Sequence, residues 1–566
     1  MLTIELILLL LLLTAVSSLI ALRFRQKVPQ PVILIALGVG AGLAGMHLRL
    51  PPELFMFVFL PPRLFADAFR MPLREFGELR GPILFLAFGL VVLSTLLCGY
   101  AIHWILPVMS LPVCFTLAAA LSPTDTVAVS SLIKGRRVPT RLLQLLSGEA
   151  LFNDASGLVC FRFAMADALT GEFSYQQAFG TFLLVACGGL AIGGAVAWVA
   201  TRFNKMLTRS GYDETQSQIV LVLLLPFLMY AMAESVGCSG ILAAVAGCMV
   251  VKLSGIIEDA STTTRLQSTT VWTMVSYVFN ALIFLFLGLQ LPSLLQSART
   301  LVLAQHVGMW RLGLLVVEIY GIMLVMRFAG VWLSIACRWA SARINRVPFD
   351  HPTGFAASLL LTFAGVRGAV TLAAVLSLPT GEDGTMSFPA REPVVVIAAG
   401  VIILSLLVAS VVIPFCLRFV PPEEVDKNAQ EENMARQKLL RAALELLHKA
   451  QTIPAIETPP ETEEEKAALE EARVEVIDRL TKLYQTRLEQ EDATPRIAQA
   501  DRRNAIRHAR MELALRLQIL RAERQTMRTL VAEQEINDQT EWKLQQELDY
   551  EEEVIHALAQ RLPREG

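Results

Sequence analysis

The sequence contains few charged residues for its length. Of its 566 residues only 18% are Asp, Glu, Lys or Arg, whereas 54% are hydrophobic, and the mean hydropathy is +0.52. A single soluble domain cannot bury that much apolar surface. The same composition excludes an intrinsically disordered chain and a collagen-like chain for most of the sequence.

The sequence also lacks the patterns of cysteine chemistry. Its eight cysteines all lie in apolar stretches, with no CxxC pair and no neighbouring histidine. This arrangement supports neither a disulfide framework nor a zinc site. We therefore expect the cysteines to be small core residues.

The few charges are unevenly distributed along the chain. Residues 1–420 contain 27 Lys or Arg and 20 Asp or Glu, whereas residues 421–566 contain 22 and 31. The sequence therefore predicts a transmembrane domain over 1–420 and a charged, helical cytoplasmic tail over 421–566, with regulation as the expected role of the tail.

Hydrophobic runs predict the membrane-spanning helices. A bilayer core about 30 Å thick requires roughly 20 apolar residues in a helix, and fewer where the helix is broken or shielded by protein. Thirteen segments meet this requirement: 2–22, 31–47, 54–69, 82–106, 113–133, 142–168, 177–202, 216–235, 238–254, 269–291, 310–337, 354–378 and 393–418.

Loop charges predict the orientation of these spans. Lys and Arg residues near the ends of spans stay in the cytoplasm. Loops on one side of the predicted membrane hold eighteen of them and loops on the other side hold four. The N-terminus is therefore expected outside and the tail in the cytoplasm.

Two of the spans contain features that break a helix. Span 5 has Pro123 in its middle, followed by Thr124 and Asp125, and span 12 carries Arg367 between two glycines. Proline removes a backbone donor, and broken helices at the bilayer midplane recur in the ion sites of transporters. Because the two spans cross the membrane in opposite directions, we predict two inverted six-helix repeats, spans 1–6 and 8–13, joined by span 7.

Span 6 adds a cluster of polar residues at membrane depth. Glu149 and Asn153 lie one helical turn apart, and Asp154 lies about 100° further round the helix. Ionisable residues inside a membrane are costly and indicate function. We expect one carboxylate to pair with Arg367 and the other to exchange a proton for a cation, with a purely structural network as the alternative.

Five motifs carry a resemblance to a known family. They are FLPPRLFADAF, SPTDTVAV, GEALFNDASG, AESVGCSGILAAVAG and FAGVRGAVTLAAVLSLP, spread in this order over residues 59–379. Together they resemble the monovalent cation:proton antiporter family 1, and within it the NhaP-like bacterial Na+/H+ exchangers. The resemblance covers residues 1–420 and leaves the tail uncovered. It implies a homodimer in the bacterial inner membrane whose core domain moves in an elevator-like cycle.

The resemblance also implies the roles of the polar residues. Asp154 would hold Na+ or H+ in turn, and Asp125 with the Thr124 backbone carbonyl would complete the cation site. Asn153 takes the position of a second Asp in electrogenic relatives, which implies one proton for each cation.

A buried ion pair is implied as well. By the resemblance, Glu149 would pair with Arg367 and hold spans 6 and 12 together. Arg327 and Glu318 on span 11 are assigned to helix packing or the core, and to no ion site.

Two departures from the family pattern bear on ion selectivity. Ala150 stands where the family commonly has a Ser that coordinates the cation, and Thr126 stands where a Pro is usual. A hard monovalent cation needs several oxygen ligands. Water, Thr124, Thr126 or Ser156 would therefore have to supply the missing oxygen.

Two further residues are possible members of the site. Asp67 on span 3 matches an acidic or polar position of the family, although Arg63 one turn earlier could simply be its ion-pair partner. Arg162 lies two turns beyond Asp154, where it would line an outward funnel or snorkel to the interface beside Asp167.

Small-residue runs and the tail complete the predictions. The glycine-rich runs at 38–45 and 188–194 indicate close helix packing. In the tail, 421–452 and 461–492 predict helices around a breaker at 452–460, and 495–561 predicts a third helical stretch. The composition suits a helical bundle or a short coiled coil, with a weakly ordered tail as the alternative, and no GxGxxG motif indicates a nucleotide-binding domain.

The predicted function is electroneutral Na+/H+ antiport at Asp154 and Asp125 across a lipid bilayer. Li+ and K+ are further possible substrates, and K+/H+ exchange is the main alternative because Ala150 lacks a hydroxyl. A channel or a non-transporting sensor on the same fold is the alternative from another class, but no repeated pore loop supports a channel. We expect no cofactor, no enzymatic residues and no nucleic-acid partner.

Overall fold

The computed structural model is α-helical and divides into two compact units, Met1–Pro422 and Glu423–Gly566. No strand occurs among the residues that it describes. These are residues 2–23, 28–46, 52–133, 138–171, 175–210, 214–255, 262–304, 309–345, 355–379, 387–420, 427–450, 463–492, 499–533 and 538–561. Seven of the loop cations used for the orientation (Arg25, Lys27, Arg49, Lys134, Arg136, Arg137 and Arg346) and the 452–460 breaker lie outside them.

The first unit contains sixteen α-helices in its described part. They are α1 (Leu2–Arg23), α2 (Gln30–Leu43), α3 (Pro52–Arg70), α4 (Leu73–Leu84), α5 (Leu90–Ile105), α6 (Leu111–Leu121), α7 (Thr126–Ile133), α8 (Thr140–Thr170), α9 (Tyr175–Arg209), α10 (Thr215–Ser235), α11 (Gly240–Leu253), α12 (Thr262–Ala304), α13 (Met309–Asn345), α14 (Phe355–Phe363), α15 (Ala369–Leu376) and α16 (Arg391–Cys416). A π-helical turn, Phe85–Gly89, connects α4 to α5.

Each predicted span coincides with one of these helices or with a pair of them. Within the described residues, six helices are long and apolar enough to cross a membrane: Leu79–Ile105, Gly180–Leu207, Thr215–Ser235, Thr263–Gln296, Trp310–Cys337 and Arg391–Cys416. The number of thirteen crossings and the inverted repeats stay predictions. Helix α12 extends well past its predicted span, because polar residues continue a helix beyond the apolar run that a membrane requires.

The two expected helix breaks are present. Residues 122–125 separate α6 from α7, and residues 364–368 separate α14 from α15. Pro123 and the Gly365 to Gly368 segment account for the interruptions, because proline lacks an amide donor and glycine is a poor helix former.

Two hydrophobic clusters lie on either side of these breaks. One joins α6 and α15, with Leu117 and Ala373, to α3, α8 and α11. The other joins α7 and α14, with Val129 and Leu361, to α2, α12 and α16. Each broken helix therefore places one half in each cluster, with its non-helical residues between these two halves.

Both glycine-rich runs pack closely against other helices, as predicted. A Cβ atom at Gly38 of α2 would lie 2.9 Å from the Cα of Gly288 in α12. Gly193 of α9 faces Ala243 of α11 in the same way, and Gly188 and Gly189 face Cys238 and Ser239 just before α11. The backbones approach each other because these residues have no side chain.

The second unit contains two pairs of packed helices. Helix α17 (Lys427–Ala450) packs on α18 (Glu463–Asp492), and α19 (Gln499–Ala532) packs on α20 (Asp538–Arg561). The predicted helical stretch over 495–561 is helical in its described part and consists of two helices, since a turn at Glu533 ends α19. Arg524 of α19 forms ion pairs with Asp549 at 2.6 Å and with Glu552, both of α20.

The close contact between α2 and α12 generates a stability prediction. Gly288→Ala should destabilise the protein by about 1–3 kcal/mol, because the new methyl group would meet backbone atoms that cannot rotate away. The methyl group would clash with the Ile35 carbonyl, whose carbon would lie 2.9 Å away, and with Gly38 Cα at 3.0 Å. Thermal unfolding of the purified protein in detergent measures the change.

Gly321→Ala is the matched control. Gly321 lies within α13 and has open space where a Cβ would stand, so alanine should be neutral or slightly stabilising there. Equal melting temperatures for the two variants would contradict the packing explanation.

Candidate ion-binding site

The two helix breaks touch each other at the centre of the first unit. The Asp125 amide donates a hydrogen bond of 2.7 Å to the Val366 carbonyl. Gly368, the residue before α15, leaves room for the Asp125 side chain, whose Cγ would lie 2.7 Å from a Cβ at this position. Backbone groups that the breaks remove from helical hydrogen bonding are thus partly satisfied by the other break.

Helix α8 packs directly against the first break. A Cβ at Gly157 of α8 would lie 2.7 Å from the Pro123 Cδ, so only glycine permits this approach. On the other side, the hydroxyls of Ser122 and Ser94 are 2.8 Å apart and connect the break to α5. These contacts fix the position of the break relative to the polar residues of α8.

Asn153 of α8 contacts Thr124 at this break, and Asp154 is the next residue of α8. The Asn153 amide nitrogen donates to the Thr124 hydroxyl at 2.7 Å, and its amide oxygen is buried without a donor. Asp154 is 5% exposed and interacts electrostatically with Asp125. Among the described residues, no hydrogen bond or ion pair neutralises the Asp154 carboxylate.

The donor set suits a hard monovalent cation. Asp154 offers a carboxylate, Asn153 offers an amide oxygen that lacks a donor, and the Thr124 hydroxyl accepts from the Asn153 amide nitrogen. Oxygen atoms are the ligands that such ions prefer. The arrangement can therefore hold a cation or a proton, because a buried carboxylate requires one of the two to offset its charge.

Arg63 is a site residue that sequence reasoning missed. Its guanidinium forms a buried ion pair with Asp125, with Nη2 2.6 Å from Oδ1. The sequence suggests only Asp67, one turn away on α3, as a partner for Arg63. The signal was its position in the FLPPRLFADAF motif, but spacing along one helix cannot reveal a partner 62 residues away in the chain.

The expected pair between Glu149 and Arg367 is wrong. Glu149 pairs with Arg327 of α13, whose two terminal nitrogens lie 2.5 and 3.0 Å from the two carboxylate oxygens. Arg327 also donates from Nε to the Leu361 carbonyl of α14 at 3.0 Å. The pair therefore joins α8, α13 and α14.

Arg367 instead forms its hydrogen bonds within and beside the helix break in which it lies. Its Nη1 donates to the Gly365 carbonyl, and its backbone amide donates to the Ser405 hydroxyl of α16 at 3.0 Å. Among the described contacts, the Arg367 guanidinium binds the Gly365 carbonyl, whereas Glu149 binds Arg327. Arg327 and Arg367 each lie well inside a predicted span, so the sequence alone does not show which of them pairs with Glu149.

The possible site residues have different surroundings. The Ser156 hydroxyl donates to the Ala87 carbonyl in the π-helical turn and lies 3.1 Å from the Asn153 carbonyl. Arg162 pairs with Glu234 of α10 at 3.1 Å, with 45% of its side chain exposed, and not with Asp167. Asp67 is half-buried, and Thr126 is the half-buried first residue of α7.

Comparisons with known proteins identify the family. The family model described as sodium/hydrogen exchanger, transmembrane, matches residues 7–419. The chain is 37% identical to the uncharacterized Na+/H+ exchanger YjcE of Escherichia coli (strain K12), over 97% of this chain and 98% of that protein. It is 36% identical to the sodium, potassium, lithium and rubidium/H+ antiporter of Bacillus pumilus (strain SAFR-032), over 96% of this chain and 76% of that protein.

The fold has a solved counterpart. It is similar to the sodium proton antiporter MjNhaP1 from Methanocaldococcus jannaschii, with a TM-score of 0.55 and 19% sequence identity. The match covers 73% of this chain and 97% of MjNhaP1. Together with the family model over residues 7–419, these findings confirm the resemblance carried by the five motifs, and the chain belongs to the sodium/hydrogen exchanger family.

Proposed function

We propose that this protein is a multi-pass cation/proton antiporter in which Asp154 binds Na+ and H+ in alternation. The observation that carries the proposal is the buried Asp154 carboxylate, which has no ion-pair partner among the described residues. Such a group must be accompanied by a cation or a proton whenever it is away from water. Membership of the sodium/hydrogen exchanger family supports the same function.

In the proposed cycle, Asp154 and the buried oxygen of Asn153 contact the cation, with Thr124 and Asp125 beside them. The site opens to one side of the membrane at a time, so the carboxylate can return only with a cation or a proton bound. Because the broken helices carry the site, a movement of their segment would transfer it between the two sides. The exchange requires no resident cofactor.

We propose that the exchange is electroneutral. Asn153 is an amide where a second carboxylate would bind a second proton, and Asp125 already faces the Arg63 guanidinium. One carboxylate is then left to carry one cation in one direction and one proton in the other. The proposed location is a bacterial inner membrane, as a homodimer with the N-terminus outside and the tail in the cytoplasm.

K+ is a second candidate substrate. Ala150 is 7% exposed and brings no hydroxyl to α8, and the Ser156 hydroxyl is directed to Ala87 and Asn153 carbonyls. A site with fewer protein oxygens discriminates less between Na+ and a larger ion. The relative from Bacillus pumilus is named for sodium, potassium, lithium and rubidium.

The first test of this proposal is Asp154→Asn. The variant should fold but show no exchange, because the amide accepts no proton and gives the cation no counter-charge. Proton movement in proteoliposomes, followed with an internal pH dye after a Na+ pulse, measures the activity. Asp167→Asn, which makes the same change nearer the end of α8, should retain it. Wild-type exchange in Asp154→Asn would exclude Asp154 as the carrier.

The second test concerns the Glu149 to Arg327 pair as a structural connection. Glu149→Gln and Arg327→Gln should each cost about 3–5 kcal/mol of stability, because each leaves a buried charge alone, and the double variant should regain much of the loss. Melting temperatures of the four proteins form the double-mutant cycle.

The control cycle uses the pair of Arg162 and Glu234. Their side chains are 45% and 28% exposed, so each single change to Gln should cost no more than about 1 kcal/mol. Simple additivity at Glu149 and Arg327 would show that their contact does not stabilise the fold.

A further inference from the structure

Arg63 contacts a carboxylate of the candidate site directly. Its side chain is 5% exposed and that of Asp125 is 4% exposed, and Nη2 and Oδ1 are 2.6 Å apart. Both Arg63 and Asp125 interact electrostatically with Asp154. A guanidinium is always charged, so it acts here as a fixed cation next to the place where the transported cation would bind.

We propose that Arg63 is a tethered cation that pairs with Asp125 whenever no transported cation is bound and competes with that cation for this carboxylate. The inference rests on the proposed function and adds a positioning residue that sets how tightly the cation is held. A cation that reaches both Asp154 and Asp125 has to weaken the contact between Asp125 and Arg63. The guanidinium therefore lowers the affinity for the cation and favours its release.

Asp67 gives Arg63 a second partner when the cation is bound. The two residues are four positions apart on α3, the spacing at which helical side chains meet. Asp67 is half-buried and interacts electrostatically with both Arg63 and Asp125. When a cation takes Asp125, the guanidinium can remain paired by turning to Asp67, so its charge is not left alone in the protein interior.

The experiment compares cation affinity and turnover in Arg63 variants. Arg63→Gln should lower the Na+ concentration for half-maximal exchange by about tenfold and also lower the maximal rate, because the cation is held more tightly and released more slowly. Arg63→Lys keeps a positive charge and should restore values near those of the wild type. Arg436→Gln, which removes an arginine from α17, is the control and should change neither quantity.

Asp67→Asn should change the cation affinity in the opposite direction, and it leaves the contact between Arg63 and Asp125 intact. Without its second partner, Arg63 should leave Asp125 less readily, and the half-maximal Na+ concentration should rise. Na+-dependent thermal stabilisation in detergent, against choline as the inert cation, gives the same order of affinities without transport. This order is Arg63→Gln tightest, then wild type, then Asp67→Asn.

Several outcomes would overturn the inference. They are an unchanged or weaker affinity in Arg63→Gln, and an Arg63→Lys variant that behaves like Arg63→Gln. If Arg63→Gln does not fold, Asp67→Asn decides, and an unchanged or tighter affinity there overturns the inference. A wild-type protein that moves no cation against protons would instead overturn the proposed function, and this is measured before any variant is compared.

Discussion

The structure depends on the contact between two interrupted helices. A non-helical segment at membrane depth has amides and carbonyls without water to bind, and each unsatisfied group costs several kcal/mol. The hydrogen bond from Asp125 to Val366, together with the contacts of Arg367 and Ser405, partly satisfies both segments. Because the breaks lie between two hydrophobic clusters, the polar residues they carry are held in one place.

The second constraint is the pairing of buried charges. Glu149 is matched by Arg327, and Asp125 faces Arg63, so two of the three buried carboxylates described above have arginine partners. Asp154 is the third and has none among the described residues. An unpaired carboxylate is costly at membrane depth, and we propose that in this protein it is the group that takes the transported ion.

Features local in sequence were predictable, whereas partners distant in sequence were not. Pro123 and the glycines around Arg367 predict the breaks because they act on their own backbone, and Asp154 stands out because charge is rare in the membrane domain. Arg327 and Arg367 lie at similar depth, and no spacing rule says which of them reaches Glu149. The contact of Arg63 with Asp125 depends on how α3 packs near the first break. The turn at Glu533 depends on the packing of α19 with α20. Neither kind of packing produces a periodic pattern in the sequence.

The central claim is that one carboxylate carries one ion at a time. The most direct measurement is the ratio of protons to cations, obtained from simultaneous proton release and radioactive Na+ uptake in proteoliposomes containing the wild-type protein. The account predicts one proton for each Na+ and no membrane potential generated by the exchange. Two protons for each Na+, with a potential that depends on the cation gradient, would contradict it.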